Sequence, residues 1–459
     1  MVFCGINYKL NKDSRYIFLI LIHVVIGLLI YTYKPLSKVY FFIAVVFFTG
    51  HIIVVPKSKK TAAIMIACAY FVGAEVLFRM TKGSIAYEAS KYLVIVFVLL
   101  GMFFKGVSGR AYSYFAYLIL LVPSIIVASL DLQIDANFRT NLAFVLSGPV
   151  CLGLSALFFL DKKVKHKDII DALASLSMPV VTMMVYLMVY NPTLKESITS
   201  TASNYATSGG FGPNQVSTIL GLGIFAFTIR LFIKSPNLFL KLFNTIFLAL
   251  IAYRAIITFS RGGVVAAAIT ILAFLVIFYF RSVSKIRNQV IGSVIVLAFA
   301  MVSAWFISSS ATSGMIDKRY ANKDSLGREK QDLTTGRTEL ILNELDGFIE
   351  NPFLGIGASN TKYNRDGRSI VTHNELTRLL SEHGILGILI LLILIFAPLS
   401  YRSTNKKNVF FYAFLAFWFT TINHSAMRIA APAFFYALAL LDIEYEKRPI
   451  HRKRFIQKG

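Results

Sequence analysis

The chain has 459 residues, 56% of them hydrophobic and 40 of them phenylalanine, and carries a formal net charge of +24. Apolar runs of roughly 17–25 residues recur along it, each long enough to cross a hydrocarbon core about 30 Å thick, which excludes an ordinary soluble domain. The basic excess sits in short segments between those runs, where it marks one side of a membrane and attracts anionic lipid; it does not form a nucleic-acid-binding stripe.

In chain order the sequence predicts an all-α polytopic membrane protein of about 14 transmembrane helices. They fall at 16–32, 39–55, 61–78, 89–104, 112–130, 140–160, 168–189, 214–233, 237–258, 262–280, 288–309, 384–400, 408–425 and 428–443. The run after Arg15 is long enough to span, so the first helix is expected to act as an uncleaved signal. Basic residues occupy every second connection: Lys57, Lys59 and Lys60; Lys105 and Arg110; Lys162, Lys163, Lys165 and Lys167; Arg230 and Lys234; Arg281, Lys285 and Arg287; Arg402, Lys406 and Lys407. With the basic C-terminal tail they place both termini in the cytoplasm.

The same alternation puts two long connections, 190–213 and 310–383, outside. Loops of that length in a compact fold usually carry function. Four parts are therefore expected: N-terminal helices over 1–189, central helices with the first outer loop over 190–309, a helical extracytoplasmic catalytic loop over 310–383, and C-terminal helices with the tail over 384–459. Cys4, Cys68 and Cys151 lie in or beside spans, so neither a disulfide framework nor a metal cluster is suggested.

The long loop begins with "DKRYANKDSLGREKQD", charged and expected to be mobile. In "GRTELILNELDGFIENP" Ile341, Leu342, Leu345, Phe348 and Ile349 share one helical face, opposite Glu339, Asn343, Glu344, Asp346 and Glu350. Such a helix would lie along the membrane surface or cap the bundle. After the breakers of "NPFLGIGASN", Thr372-x-x-Glu375 has the spacing of a capping box, which makes His373 the first helical residue. The positive end of the helix dipole would disfavour the imidazolium and leave the ring able to accept a proton, for instance from a sugar hydroxyl. The spacing also fits an interfacial residue that only caps a helix.

"YRAIITFSRGG" puts Arg254 inside a span and Arg261 at its exit, seven residues apart and nearly on one face. Guanidinium groups at membrane depth are costly and usually face a cavity, a partner or an anion. With Arg337 at the start of the amphipathic helix they make candidates for gripping phosphate oxygens through paired hydrogen bonds. The plainer alternatives are an ion pair of Arg254 with Glu75 and a snorkelling interface anchor for Arg261. No paired outer aspartates suited to Mg²⁺ or Mn²⁺ are found: Asp317, Asp324, Asp332 and Asp366 are scattered. No metal or other cofactor is expected.

"TFSRGGVVAAAIT", then "TTGRTELILNELDGFIENPFLGIG" and "THNELTRLLSEHGILG", in order and spacing, resemble the signature region of the O-antigen ligase and O-antigen polymerase superfamily over about 255–400. "SGGFGPNQVSTILGLG", with Asn214 opening a span, is similar to the region that precedes it in the family. The first seven spans agree only in hydropathy. The resemblance implies a GT-C-like membrane glycosyltransferase of the bacterial inner membrane, acting on its periplasmic side. It implies a glycan donor linked through pyrophosphate to undecaprenol, and an acceptor that is lipid A core or a second lipid-linked glycan. By position in the motifs its functional residues fall on His373, Arg261 and Arg337. Arg254, Asn214, Asn374 and Glu375 are further substrate-binding candidates, and His383 and His424 are also near the outer side. In the mechanism these residues suggest, arginines stabilise charge developing on the leaving pyrophosphate and His373 takes the acceptor's proton, giving inversion without a metal.

Protein O-glycosylation is an alternative within the same chemistry. A lipid or polysaccharide transporter, with arginines lining a path, is the alternative of a different class; it would be expected to show internal repeats, and none is seen between the halves.

Overall fold

The computed structural model describes residues 12–131, 136–190, 198, 200–330, 336–362 and 372–445. The N-terminal half contributes α1 (Lys12–Thr32), α2 (Leu36–Val54), α3 (Lys60–Thr81), α4 (Ala89–Lys105), α5 (Tyr112–Leu120), α6 (Val122–Asp131), α7 (Ala136–Phe159) and α8 (His166–Tyr190). Then come α9 (Pro213–Ile233), α10 (Leu238–Ile257), α11 (Arg261–Arg281), α12 (Ser284–Ala311), α13 (Met315–Tyr320) and α14 (Arg337–Glu350). The chain closes with α15 (Glu375–His383), α16 (Ile385–Thr404), α17 (Phe411–Ser425) and α18 (Ala430–Ala439).

The fold is all-α and polytopic, as expected, but the count differs. Among the described residues 11 segments are long and apolar enough to cross a membrane, α5 and α6 together making one of them, against the 14 expected. The other three predicted spans coincide with shorter helices: α4 has 17 residues, α17 has 15 and α18 has 10. Every residue of α18 is buried, so its apolar composition reflects packing inside protein. Hydropathy alone does not separate that from contact with lipid. The predicted span 112–130 divides at Leu121 into α5 and α6. Pro123 lacks the N–H that a continuous helix would need and crowds the carbonyl four residues back, which accounts for the break.

Burial sorts the helices into an inner and an outer set. In both the Lys57–Thr81 and Pro213–Ile233 segments 89% of the apolar window is buried, against 28% in the segments carrying α1 and α12. The inner pair α3 and α8 approach closely at Gly73, where a Cβ would stand 2.4 Å from the Leu176 carbonyl oxygen.

One small sheet departs from the helical plan. β1 (Lys163–Lys165) pairs in parallel with β2 (Asp442–Glu444), with Val164 opposite Ile443. It joins two basic-flanked connections that the sequence puts on one side of the membrane. The tail beyond residue 445 lies outside the described residues, as do Cys4, Asp332 and Asp366.

The long loop is more ordered at its start than its charge suggested. α13 is followed by a turn in which the Asp324 carboxylate accepts the N–H groups of Leu326 and Arg328, each at 2.9 Å, and the backbones of Lys323 and Glu329 form an antiparallel β-bridge. Asp side chains close such turns locally and need no apolar core to do so. Asp317 accepts from Trp305 Nε1 at 3.0 Å and from the Ser309 hydroxyl. The predicted amphipathic helix exists as α14, with Glu339, Asp346 and Glu350 exposed, but its faces are not cleanly divided. Glu344 is buried and accepts from Thr377 Oγ1 at 2.5 Å, while Leu342 and Ile349 are exposed.

Candidate functional site: an arginine and histidine cluster at the loop end of the bundle

The start of α11 is built by close packing. Phe259 sits in the left-handed region at φ 58°, turning the chain into Ser260 and Arg261. Ser260 Oγ donates to Asn214 Oδ1 at 2.7 Å, tying this turn to the start of α9. A Cβ on Gly262 would lie 2.2 Å from the His424 ring, and one on Gly263 would lie 2.3 Å from Ser217 Oγ. The two glycines of "SRGG" thus let α11 begin flush against α9 and α17, and so fix where Arg261 starts.

Arg337, His373 and Asn374 line one pocket, together with Leu340, Ile341, Glu344, Thr372 and Asn423. Its empty volume of about 240 Å³, open mouth included, lies below the ~300–1,000 Å³ usual for drug-sized ligands. It fits a small charged group, not a whole glycan. Burial first, and then the charge of Arg261, pulls the Arg337 guanidinium below its ordinary value. Arg261 is not among the lining residues, but the next residue, Gly262, packs against the ring of His424, which follows the lining residue Asn423.

The local reading of His373 requires correction. α15 begins at Glu375, its N-cap is Asn374, and the Asn374 side chain accepts the Leu376 N–H at 2.9 Å. His373 therefore precedes the helix and is not its first residue. The capping box does not form: Thr372 Oγ1 accepts the Asn374 N–H at 3.3 Å, and Glu375 turns away from the cap. Asn is at least as good a cap as Thr, and it stands nearer the apolar run. The argument from the helix dipole goes with the box; the half-buried position beside Arg337 remains.

Three other candidates are placed outside the pocket lining. Glu375 is buried and binds Arg378 through both oxygens, with Nε at 3.1 Å, and it also accepts the Met427 N–H at 3.4 Å. Arg254 is buried and donates from Nη2 to the Thr207 carbonyl at 2.8 Å. It does not pair with Glu75, which belongs to Arg79 at 2.5 Å. Asn214 serves as the acceptor for Ser260 and, through its carbonyl, for Thr218 at 2.7 Å. His424 is held by Thr218 Oγ1 at 3.2 Å and the Thr420 carbonyl at 3.0 Å. Both ring nitrogens of His383 lack a hydrogen-bond partner among the described residues, and burial, then Arg378, pushes the ring down to about 3.

Sequence reasoning missed the frame that holds His373 in place. The Arg428 guanidinium donates to the Thr372 carbonyl, one residue before His373. The Arg428 carbonyl in turn accepts from Arg79 Nη1 at 3.0 Å. Arg79 is fixed by Glu75, by Glu88 at 2.9 Å and by Gln215 at 3.0 Å, and Lys91 bridges Glu88 at 2.6 Å. Charged residues in an apolar span were the available signal, since they persist there only with partners. Spacing could not name those partners, because Arg79 and Arg428 are 349 residues apart.

These features define a multi-pass, all-α membrane protein with a cationic, histidine-bearing pocket at one end of its bundle. Residues 246–392, from the middle of α10 into α16, match the sequence model of the O-antigen ligase family, in the region where the motif pieces resemble the O-antigen ligase and polymerase superfamily. The match brings with it a ligase- or polymerase-type function on lipid-linked glycans. No curated protein and no solved structure matches the chain.

Proposed function

We propose that the protein is a membrane glycosyltransferase that moves a glycan from an undecaprenyl-pyrophosphate carrier to an acceptor hydroxyl, on the periplasmic side of the bacterial inner membrane. The acceptor is lipid A core, for a ligase, or a lipid-linked repeat unit, for a polymerase. The observation that carries this reading is the shared pocket of Arg337, His373 and Asn374, inside the segment that matches the O-antigen ligase family.

The acceptor oxygen bonds to the anomeric carbon as the bond from that carbon to the pyrophosphate oxygen breaks. The pyrophosphate leaves with the electron pair and gathers negative charge, which Arg261 and Arg337 stabilise from fixed positions in a partly dry site. The hydroxyl proton passes to His373, held beside the pocket by the Arg428 bond to Thr372. One displacement inverts the anomeric centre. Charge stabilisation by guanidinium groups requires no metal in this reading, so transfer should proceed undiminished in EDTA.

The test is to give the purified protein a lipid-linked oligosaccharide with each acceptor in turn. Sugar gained by lipid A core identifies a ligase, and lengthening of the lipid-linked chain identifies a polymerase. Sugar gained by neither contradicts the proposal. Labelling of a single cysteine placed at Ser325 from the cytoplasmic side alone would contradict the periplasmic placement of the loop.

A further inference from the structure

Arg319 lies on α13 and is 6% exposed. A guanidinium so far out of water needs acceptors for its five N–H groups, and an acid to balance its charge. Among the described residues one acceptor is present: Nε donates to the Phe259 carbonyl at 3.1 Å. No carboxylate lies within ion-pair distance of Arg319 among those residues. The nearest acid in sequence, Asp317, is turned to Trp305 and Ser309, and Asp324 pairs with Arg328 at 2.8 Å. The terminal amino groups of Arg319 are not sealed away from open space, whereas the Nε atoms of Arg230 and Arg254 are.

The single bond that Arg319 makes fixes where those amino groups can reach. Phe259 is the left-handed residue two positions before Arg261, so Arg319 is fastened to the turn from which Arg261 projects. Arg261 and then Arg337, after burial, pull Arg319 below its ordinary value. Arg319 and Arg261 do the same, after burial, to Lys330. Four cations therefore feel one another at the end of the bundle that holds the pocket. Such clustering is costly in the empty protein and is relieved by an anion carrying several charges.

We infer that Arg319 is a third arm of this anion site, reaching with Arg261 and Arg337 for the two linked phosphates of the carrier's pyrophosphate. The inference rests on the proposed function and adds to it a binding residue and a preference: three guanidinium groups suit a diphosphate better than a single phosphate. Arg319 would keep Nε on the Phe259 carbonyl and offer its two amino groups to the ligand as a fork.

The test uses the full chain in nanodiscs, with inorganic pyrophosphate and inorganic phosphate as probes in titration calorimetry. Arg319→Gln, which keeps an N–H for the Phe259 carbonyl, is expected to weaken pyrophosphate binding by roughly 10- to 100-fold, the range for lost charged hydrogen bonds. Phosphate binding should fall far less. A change that acted only by shifting Arg261 would weaken both probes equally. Arg319→Lys keeps the charge without the fork and should fall between wild type and the Gln variant; it carries the test where the Gln variant does not fold. Pyrophosphate affinity within twofold of wild type in a folded variant, or equal losses for the two probes, overturns the inference and leaves the proposed function standing. A wild-type protein that binds no pyrophosphate overturns the inference as well. If it also transfers no glycan to any acceptor, the proposed function falls with it.

Discussion

Two groups of arginines, both largely removed from water, are treated in opposite ways by this fold. Arg378 on α15 is held between Glu375 and Glu382, the second at 2.5 Å, and those carboxylates raise it above its ordinary value. Arg79 is likewise held by Glu75 and Glu88. Arg319 and Arg337 pair with no acid among the described residues, and each is lowered by burial first and then by its cationic neighbours. A closed, balanced charge network holds a structure together, whereas an open and unbalanced one costs stability and keeps its donors for a ligand. The two kinds meet around His373: the balanced networks set the frame, and the unbalanced cations share its neighbourhood.

The largest expected difference is in stability. Arg378→Met leaves Glu375 and Glu382 buried without their partner, which should cost about 3–5 kcal/mol. Adding Glu375→Gln and Glu382→Gln should recover much of that loss, because the triad is then neutral. Unfolding titrations in mixed micelles measure both effects. A single variant as stable as wild type would erase the distinction drawn between the two groups.

Arg337→Gln should act the other way. Removing an unbalanced cation should leave stability unchanged or slightly raised, while transfer slows by roughly 10²–10³, as when one stabilising donor is removed from a developing anion. A variant that loses stability and rate together would place Arg337 with the structural group. Rate per folded molecule, measured beside the unfolding curve, separates the outcomes.

A smaller effect should come from pH. The buried His383 ring is pushed from 6.5 to about 3, so below pH 6.5 the unfolded chain takes up a proton that the folded chain refuses. The stability contributed by this site is therefore complete above 6.5 and is lost progressively as pH falls from 6.5 towards 3. His383→Leu should flatten that part of the pH profile. An unchanged slope would show that other groups set it.

The membrane character, most helix positions and the order of the motif pieces were legible because each depends on local composition or on fixed spacing. Arg261 and Arg337 stood out as candidates for the same reason, as charged residues in signature stretches. The start of α15 was misplaced by two residues because Thr372 and Asn374 are both good caps and only packing chooses between them. Glu375 read as a site residue until its oxygens were found on Arg378. α17 and α18 are shorter than the spans expected for them, and the wholly buried α18 shows that burial in protein and burial in lipid select the same side chains. The bonds from Arg79 to Arg428 and from Arg428 to Thr372 join distant parts of the chain, and no periodicity reports on them.

The central claim is that His373 takes the acceptor's proton while the arginines hold the pyrophosphate. The most direct measurement is the rate of glycan transfer by purified His373→Ala in nanodiscs, with donor binding measured on the same sample. The account predicts a folded protein, donor affinity close to wild type, and a rate lower by roughly 10²–10⁴. Wild-type transfer should weaken as pH falls and the ring takes up a proton, because only the neutral ring can accept one from the acceptor hydroxyl. A His373→Ala protein that transfers glycan at the wild-type rate would contradict the account and leave the ring as an interfacial residue beside an anion site.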